Sequence, residues 1–197
     1  MATLGRHRRK IDPVGLSTAP GLAGIGPANP AIAEWRAAGL DEPDFGVIRR
    51  YRLDRLRAEL AARDHAGALL CDPLNIRYAT DVSNMQVWCL HNATRYVFVA
   101  TDGPVVLFDY AQARHLSAAF PLVDETRPAR AWFYMYAGSA AAEHDGARSW
   151  AREIADLVVA HGGGNRRLVI DKCEPLGLDM LRAEGVETTA SQEVCEE

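Results

Sequence analysis

The sequence predicts an α/β domain built on a mixed sheet of about six strands flanked by helices. Short apolar runs follow one another in the middle of the chain, and the turn sequence Thr-Asp-Gly-Pro at 101–104 separates two of them. Such a turn between two apolar runs indicates an antiparallel hairpin. Later in the chain helical and strand patterns alternate. This combination argues against a purely parallel, doubly wound sheet.

Two helices are predicted before the first strand, at 30–39 and at about 41–63. Gly39 ends the first of them. In the second, Leu53, Leu56 and Leu60 recur at helical spacing and form one apolar stripe, which is typical of a helix that packs on a core.

The remaining elements follow from the same patterns. Strand-like runs lie at 67–71, 85–90, 95–100, 105–109, 122–126, 132–136, 167–171 and near Glu187. Helical patterns lie at 112–119, 140–161 and 175–183. The run Gly162-Gly163-Gly164 ends the longest of these helices.

Composition restricts the function classes. A formal net charge of -4 argues against a general nucleic-acid binder, and no apolar run approaches the length that crosses a bilayer. Four cysteines stand far apart without C-x-x-C spacing, as expected of free thiols in the cytoplasm. The basic start at 6–10 lacks the apolar stretch of a secretion signal.

The organisation predicted from composition is an arm followed by one domain. Residues 1–30 are rich in proline and glycine and contain no aromatic residue. Such a segment buries too little apolar surface to order itself. We therefore expect a flexible arm at 1–30 and a single domain at 31–197.

The residues offer little evidence of catalysis. The sequence contains no H-E-x-x-H motif, no Asp-x-Asp pair and no two histidines at helical spacing. We expect the scattered histidines to lie at the surface or at caps. Cys71 ends an apolar strand and is interpreted as a small core residue.

Two features invite a functional hypothesis. Trp35 lies on a short helix after the arm, where a large aromatic side chain should dock against its own core or a neighbour. The second is the segment 85–92, in which a predicted strand leads to His91 and Asn92 at a polar tip. By themselves these features indicate no more than an α/β domain.

A resemblance to a known family changes this picture. Residues 72–81 read DPLNIRYATD directly after a predicted strand. The segment resembles the N-I-x-Y-x-T/S-G motif of creatinase and prolidase amino-terminal domains. Asp-Pro opens a turn, Asn75 is expected to bond local backbone, and Tyr78 is expected to anchor a helical turn in the core.

Further strings extend the match over most of the chain. They are AEWRAAGL at 33–40, NMQVW at 84–88, HGGGN at 161–165 and VIDK at 169–172. Together they look most like the branch of metal-dependent lyases that cleave dimethylsulfoniopropionate into dimethyl sulfide and acrylate.

The resemblance implies a division of labour. In this family a further "pita-bread" domain supplies the ligands of a two-metal centre, and we expect that domain to lie outside this chain. The chain alone is then expected to bind no metal cofactor and to be inactive. Its implied partners are a second copy of the same chain or a catalytic domain, with no nucleic acid and no membrane.

The resemblance also suggests site residues. A hairpin of one amino-terminal domain can reach the partner's active site, and the matching hairpin is expected at about Trp88 to Arg95, with His91 and Asn92 near its tip. Trp35 matches an aromatic residue that helps form the lyase pocket. An Xaa-Pro peptidase or creatinase relative, or a free-standing interaction module, remain the alternatives.

Overall fold

The computed structural model describes residues 30–41, 44–117 and 120–196. The chain divides into two compact units, Met1–Phe45 and Gly46–Glu197. In the first unit, helix α1 spans Pro30–Ala37, and Gly39 follows it with φ +73°. The predicted helix and its glycine stop are therefore confirmed. Residues 1–29 of the predicted arm lie outside the described part, so the arm and its boundary stay predictions.

The second unit contains the predicted mixed sheet, with six strands in the order β4-β3-β2-β1-β5-β6. The strands are β1 (Gly67–Leu70), β2 (Tyr96–Ala100), β3 (Val105–Asp109), β4 (Glu125–Pro128), β5 (Arg167–Ile170) and β6 (Glu187–Ala190). β1, β2 and β3 pair antiparallel, whereas β5 joins β1 in parallel. At one edge β4 pairs in parallel with β3, and at the other edge β6 pairs in parallel with β5. The hairpin predicted around 101–104 is confirmed.

Helices cover both faces of the sheet. They are α2 (Phe45–Ala62), α3 (Pro73–Thr80), α4 (Gln86–His91), α5 (Tyr134–Ala137), α6 (Ala140–His161), α7 (Pro175–Ala183) and α8 (Gln192–Cys195). The predicted helices at 41–63, 140–161 and 175–183 are confirmed. A short 3-10 helix at Arg114–Leu116 lies where a longer helix was predicted at 112–119.

Alternation along the strands separates two apolar cores. Tyr96 and Phe98 face α6 and α7, whereas Val97 and Val99 face α2 and α3. The predicted stripe of Leu53, Leu56 and Leu60 is buried in the second core. A sheet whose central strands are buried on both sides explains why these strands read as continuous apolar runs.

Two strand predictions are wrong. Residues 85–90 lie mostly in α4, and residues 132–136 lead into and form most of α5. Both segments contain aromatic or β-branched residues, which favour strands. A strand also needs an unpaired neighbour within reach, however, and in this sheet such edges occur at β4 and β6, whereas β1, β2, β3 and β5 are each paired on both sides. Segment 122–126 is only partly extended, since β4 begins at Glu125.

Candidate functional site

The motif segment 72–81 forms a capped helix at the end of β1. The Asp72 carboxylate accepts a hydrogen bond from the Leu74 backbone N–H at 2.7 Å, and Pro73 occupies the first turn of α3. A carboxylate cap followed by proline is a favourable helix start. The local sequence therefore fixes where α3 begins.

Asp171, one residue beyond β5, holds this segment in place. Its carboxylate accepts hydrogen bonds from the backbone N–H of Cys71 at 2.7 Å, from that of Asp72 at 3.0 Å and from Asn75 Nδ2 at 3.0 Å. Burial raises the pKa of Asp171, and the three donors oppose that rise. Burial also raises the pKa of Cys71, which is the core residue predicted.

Two details of the motif differ from expectation. Asn75 bonds a side chain that is distant in sequence instead of local backbone. Tyr78 is 39% exposed, and the guanidinium carbon of Arg52 lies 5.9 Å from its ring centroid. Ile76 takes the core position that was expected of Tyr78, because α3 turns that side of the helix toward β1 and β2.

Helix α4 carries the predicted site residues. Met85 precedes it in the left-handed region at φ +44°, and His91 ends it. Cys89 is buried, whereas Val87 and Trp88 are exposed. The segment 88–95 is thus a helical end and a short loop, and the hairpin predicted there is wrong.

A buried polar network lies against α4 at the ends of β2 and β3. Asp109 Oδ2 accepts from Arg95 Nε at 3.1 Å, and its Oδ1 accepts from Asn84 Nδ2 at 3.2 Å and from the Tyr110 backbone N–H at 2.8 Å. The Tyr110 hydroxyl lies 2.6 Å from Thr94 Oγ1. The network joins both strands to the segment that leads into α4.

A small cleft lies beside the end of α4. It has a volume of about 40 Å³ and is lined by His91, Asn92, Ala93, Trp132, Phe133 and Glu174. His91 is exposed, and the Asn92 backbone N–H bonds the Trp88 carbonyl at 2.9 Å as the helix ends. The structure therefore brings the two predicted residues together at one rim, next to aromatic side chains that the sequence did not connect with them.

The aromatic wall of this cleft is fixed by close packing. The ring centroids of Trp132 and Trp150 lie 5.4 Å apart. A Cβ added at Gly177 of α7 would stand 2.9 Å from Trp132 Cζ2. One added at Gly146 of α6 would stand 2.8 Å from the Cβ of the same tryptophan. Glycine inside a helix is unfavourable relative to alanine, so these two positions indicate a packing requirement.

The other predicted residue, Trp35, lies on α1 in the first compact unit. Its side chain falls outside the described part of the structure, so its proposed role stays a prediction. Trp88, exposed on α4 next to His91, is a residue that sequence reasoning left without a role. The signal that could have identified it is its helical spacing from His91.

A second depression lies on the opposite face of the sheet. It measures about 350 Å³ and is lined by apolar residues of α2, α3 and α8, with Arg55, Glu59 and Glu196 at polar positions. Its lining includes Cys195, whose pKa is raised by burial. Positive and negative side chains both line this depression, so its charges do not indicate one class of ligand.

The resemblance assigns the two-metal centre to a further domain, so the described residues are not expected to supply its ligands. Among them, no three His, Cys, Asp or Glu side chains form a group that could hold a metal ion. In the same part of the chain, no helix is both long and apolar enough to cross a membrane. What this site offers is a positioned aromatic and polar rim.

Comparison with known families gives the same family as the resemblance of the motif at 72–81. The model of the Creatinase/Prolidase N-terminal domain matches residues 52–176. That range contains the capped motif, the α4 network and the cleft. This chain belongs to the creatinase/prolidase amino-terminal domain family.

Two curated relatives of this creatinase-type domain are dimethylsulfoniopropionate lyases named DddP. The protein of Roseovarius nubinhibens is 42% identical over 172 residues, which are 87% of this chain and 38% of the relative. The protein of Roseobacter denitrificans is 41% identical over 203 residues, 98% of this chain and 45% of the relative. The chain thus spans less than half the length of either relative.

Solved structures show that the fold is shared more widely in the family. An Xaa-Pro aminopeptidase from Streptococcus pyogenes superposes with a TM-score of 0.52 at 14% identity, over 77% of this chain and 98% of that one. The N-terminal domain of the peptidase PepQ from Mycobacterium tuberculosis gives 0.50 at 19% identity, over 73% and 95%. At such identities the likeness concerns the fold alone.

Proposed function

We propose that this chain serves as the amino-terminal, pocket-shaping and pairing domain of a dimethylsulfoniopropionate lyase-like enzyme. The observation that carries the proposal is 42% identity to a dimethylsulfoniopropionate lyase over 87% of the chain. The substrate carries a sulfonium cation and a carboxylate, and the reaction breaks a carbon–sulfur bond and removes a proton to release dimethyl sulfide and acrylate. The groups that perform these steps are assigned to a further domain.

The contribution of this chain is then to shape and cover a pocket. Trp88 is exposed on α4, one helical turn from His91, and an indole face attracts an onium cation by roughly 0.5–2 kcal/mol. His91 and Asn92 add polar groups at the cleft beside the end of the same helix. Trp35, on α1, is the aromatic candidate from the first compact unit.

A second copy of the chain is the proposed partner, and the cytoplasm is the proposed compartment. Exposed Val87, Trp88 and Leu90 on one short helix support an association surface. The four free cysteines support a reducing compartment. An Xaa-Pro peptidase or creatinase role has the shared fold in its favour and no specific contact.

The test is a chimera in which this chain replaces the matching amino-terminal part of the Roseovarius nubinhibens relative. We expect the chimera to release dimethyl sulfide from dimethylsulfoniopropionate and to leave Xaa-Pro dipeptides intact. The 197-residue chain by itself is expected to release none and to bind no stoichiometric metal. A folded chimera that hydrolyses Xaa-Pro dipeptides instead, or turnover by the isolated chain, would contradict the proposal.

Substitutions in the chimera locate the contribution of each residue. Trp88→Ala, His91→Ala and Trp35→Ala are each expected to raise KM or lower turnover. His115→Ala, at an exposed histidine on the 3-10 helix, is the matched control and should leave both unchanged. Kinetics that do not distinguish His91 from His115 would remove His91 from the pocket.

A further inference from the structure

Helix α4 has little apolar anchoring of its own. The structure describes all six of its residues, and of these Cys89 is the buried one. Met85 precedes it with φ +44° and makes no side-chain cap hydrogen bond. A helix this short is not stable in isolation, so contacts from other elements must set its position.

The hydroxyl of Tyr110 links α4 to the sheet, beside a bond from the Cys89 thiol to the Asn84 carbonyl at 3.7 Å. The hydroxyl oxygen lies 3.5 Å from Cys89 Sγ inside α4 and 2.6 Å from Thr94 Oγ1 just before β2. Burial raises the pKa of Tyr110 to about 12, so the hydroxyl keeps its proton at neutral pH. Lys172 Nζ adds a bond to the carbonyl of Leu90, the residue that follows Cys89 in the helix.

We infer that Tyr110 is a positioning residue, whose hydroxyl holds α4 against the sheet and thereby fixes His91 and Asn92 at the pocket rim and Trp88 on the same helix. The inference rests on the proposed function, because that function gives the rim its role. Tyr110 contacts a thiol and a hydroxyl of its own chain and acts through α4.

Cys89 reports directly on the position of α4. Its thiol is fully buried beneath the helix, so a thiol reagent reaches it only when α4 lifts or the whole domain unfolds. Cys71, buried in the main core, reacts only through the second route and serves as an internal reference. Mass spectrometry of labelled peptides from the full 197-residue chain separates the two rates.

In this assay Tyr110→Phe should accelerate the labelling of Cys89 by about five- to tenfold, the effect of losing one hydrogen bond, and should accelerate Cys71 by no more than the same factor, because unfolding of the whole domain breaks that bond too. Thr94→Val should act in the same way, whereas Thr94→Ser, which keeps the hydroxyl, should label like the parent chain. Tyr51→Phe, at an exposed tyrosine of α2, is the matched control. Unchanged labelling of Cys89, whether or not Cys71 is accelerated, would show that the hydroxyl does not hold α4 and would overturn the inference.

The effect of the α4 position on the pocket is measured in the lyase chimera. Tyr110→Phe should raise KM several-fold while the thermal unfolding midpoint of the chimera falls by no more than about 2–4 °C, and Thr94→Ser should keep the parental KM. Faster Cys89 labelling with an unchanged KM would overturn the link to the pocket. An inactive parent chimera would count against the proposed function and that link together, while the labelling rate of Cys89 still decides whether Tyr110 holds α4.

Discussion

Arg95 and Asp109 form an ion pair across β2 and β3, with 3.1 Å between Nε and Oδ2, and both side chains are completely buried. Their partners are distributed unequally. Asp109 also accepts from Asn84 and from the Tyr110 backbone, whereas Nη1 and Nη2 of Arg95 have no hydrogen-bond partner among the described residues. The carboxylate is therefore well satisfied, and the guanidinium depends on it.

The inequality predicts different costs for the two partners. Asp109→Asn leaves a buried cation without its counter-charge and should lower the free energy of unfolding by about 3–5 kcal/mol. Arg95→Met leaves a carboxylate that still accepts two hydrogen bonds, so its cost should be about 1–3 kcal/mol. Urea denaturation measures both. Asp145→Asn, in an exposed pair with Arg148, should stay within about 0.5 kcal/mol, and equal costs at 95 and 109 would contradict the asymmetry.

Asp171→Asn should loosen the junction of β1, α3 and β5. The substitution removes the charge that three N–H donors share and introduces an amide that cannot accept from all of them. Hydrogen bonds to charged groups contribute about 1.5–3 kcal/mol, and we expect a loss in that range by urea denaturation. Asp179→Asn, exposed on α7, is the control. A loss no larger than that of the control would show that the three bonds contribute little.

His65 should make the domain sensitive to mild acid. His65 is buried, so the surface or cap position predicted for the histidines is wrong for this one. Burial lowers its pKa, and its Nδ1 is buried without a partner in the described part of the chain. Because the folded pKa lies below the unfolded value of about 6.5, the unfolded chain binds the proton first as pH falls. The stabilisation from the neutral imidazole is complete above that pH and decreases below it.

The unfolding midpoint in urea, followed between about pH 7.5 and about pH 5.5, measures this dependence. His65→Gln should flatten the decrease over that interval. His144→Gln, at an exposed position of α6, should leave it unchanged. A parental slope in the His65 variant would assign the acid sensitivity to other groups.

Gly177→Ala should destabilise the chain although alanine is the better helix former. The new Cβ would stand 2.6 Å from Cys173 Sγ and 2.9 Å from Trp132 Cζ2. We expect a cost of about 1–3 kcal/mol and an altered near-ultraviolet circular dichroism signal as the indole shifts. Asp179→Ala on the same helix should change neither. A more stable Gly177→Ala variant would mean that Trp132 and Cys173 can move away from the new Cβ at little cost.

Local sequence was sufficient where periodicity and capping decide the outcome. The leucine stripe of α2, the end of α6 before Gly162 and the turn at Asp72-Pro73, which opens α3, are each encoded within a few residues. The central strands were identified by apolar runs, since both faces of the sheet are covered. The motif at 72–81 also indicated the family, because its spacing reflects this strand–cap–helix step.

Tertiary structure decided what depends on distant neighbours. Segment 85–90 has strand-forming residues, but it lies beside the end of β3, a strand already paired on both sides, and it forms α4, which places His91 at a helix end. Asn75 reaches Asp171, 96 positions away, and Arg95 meets Asp109 through strand register. A sequence specifies a local period and a cap, whereas pairing across the fold depends on which edges and buried charges the other elements leave open.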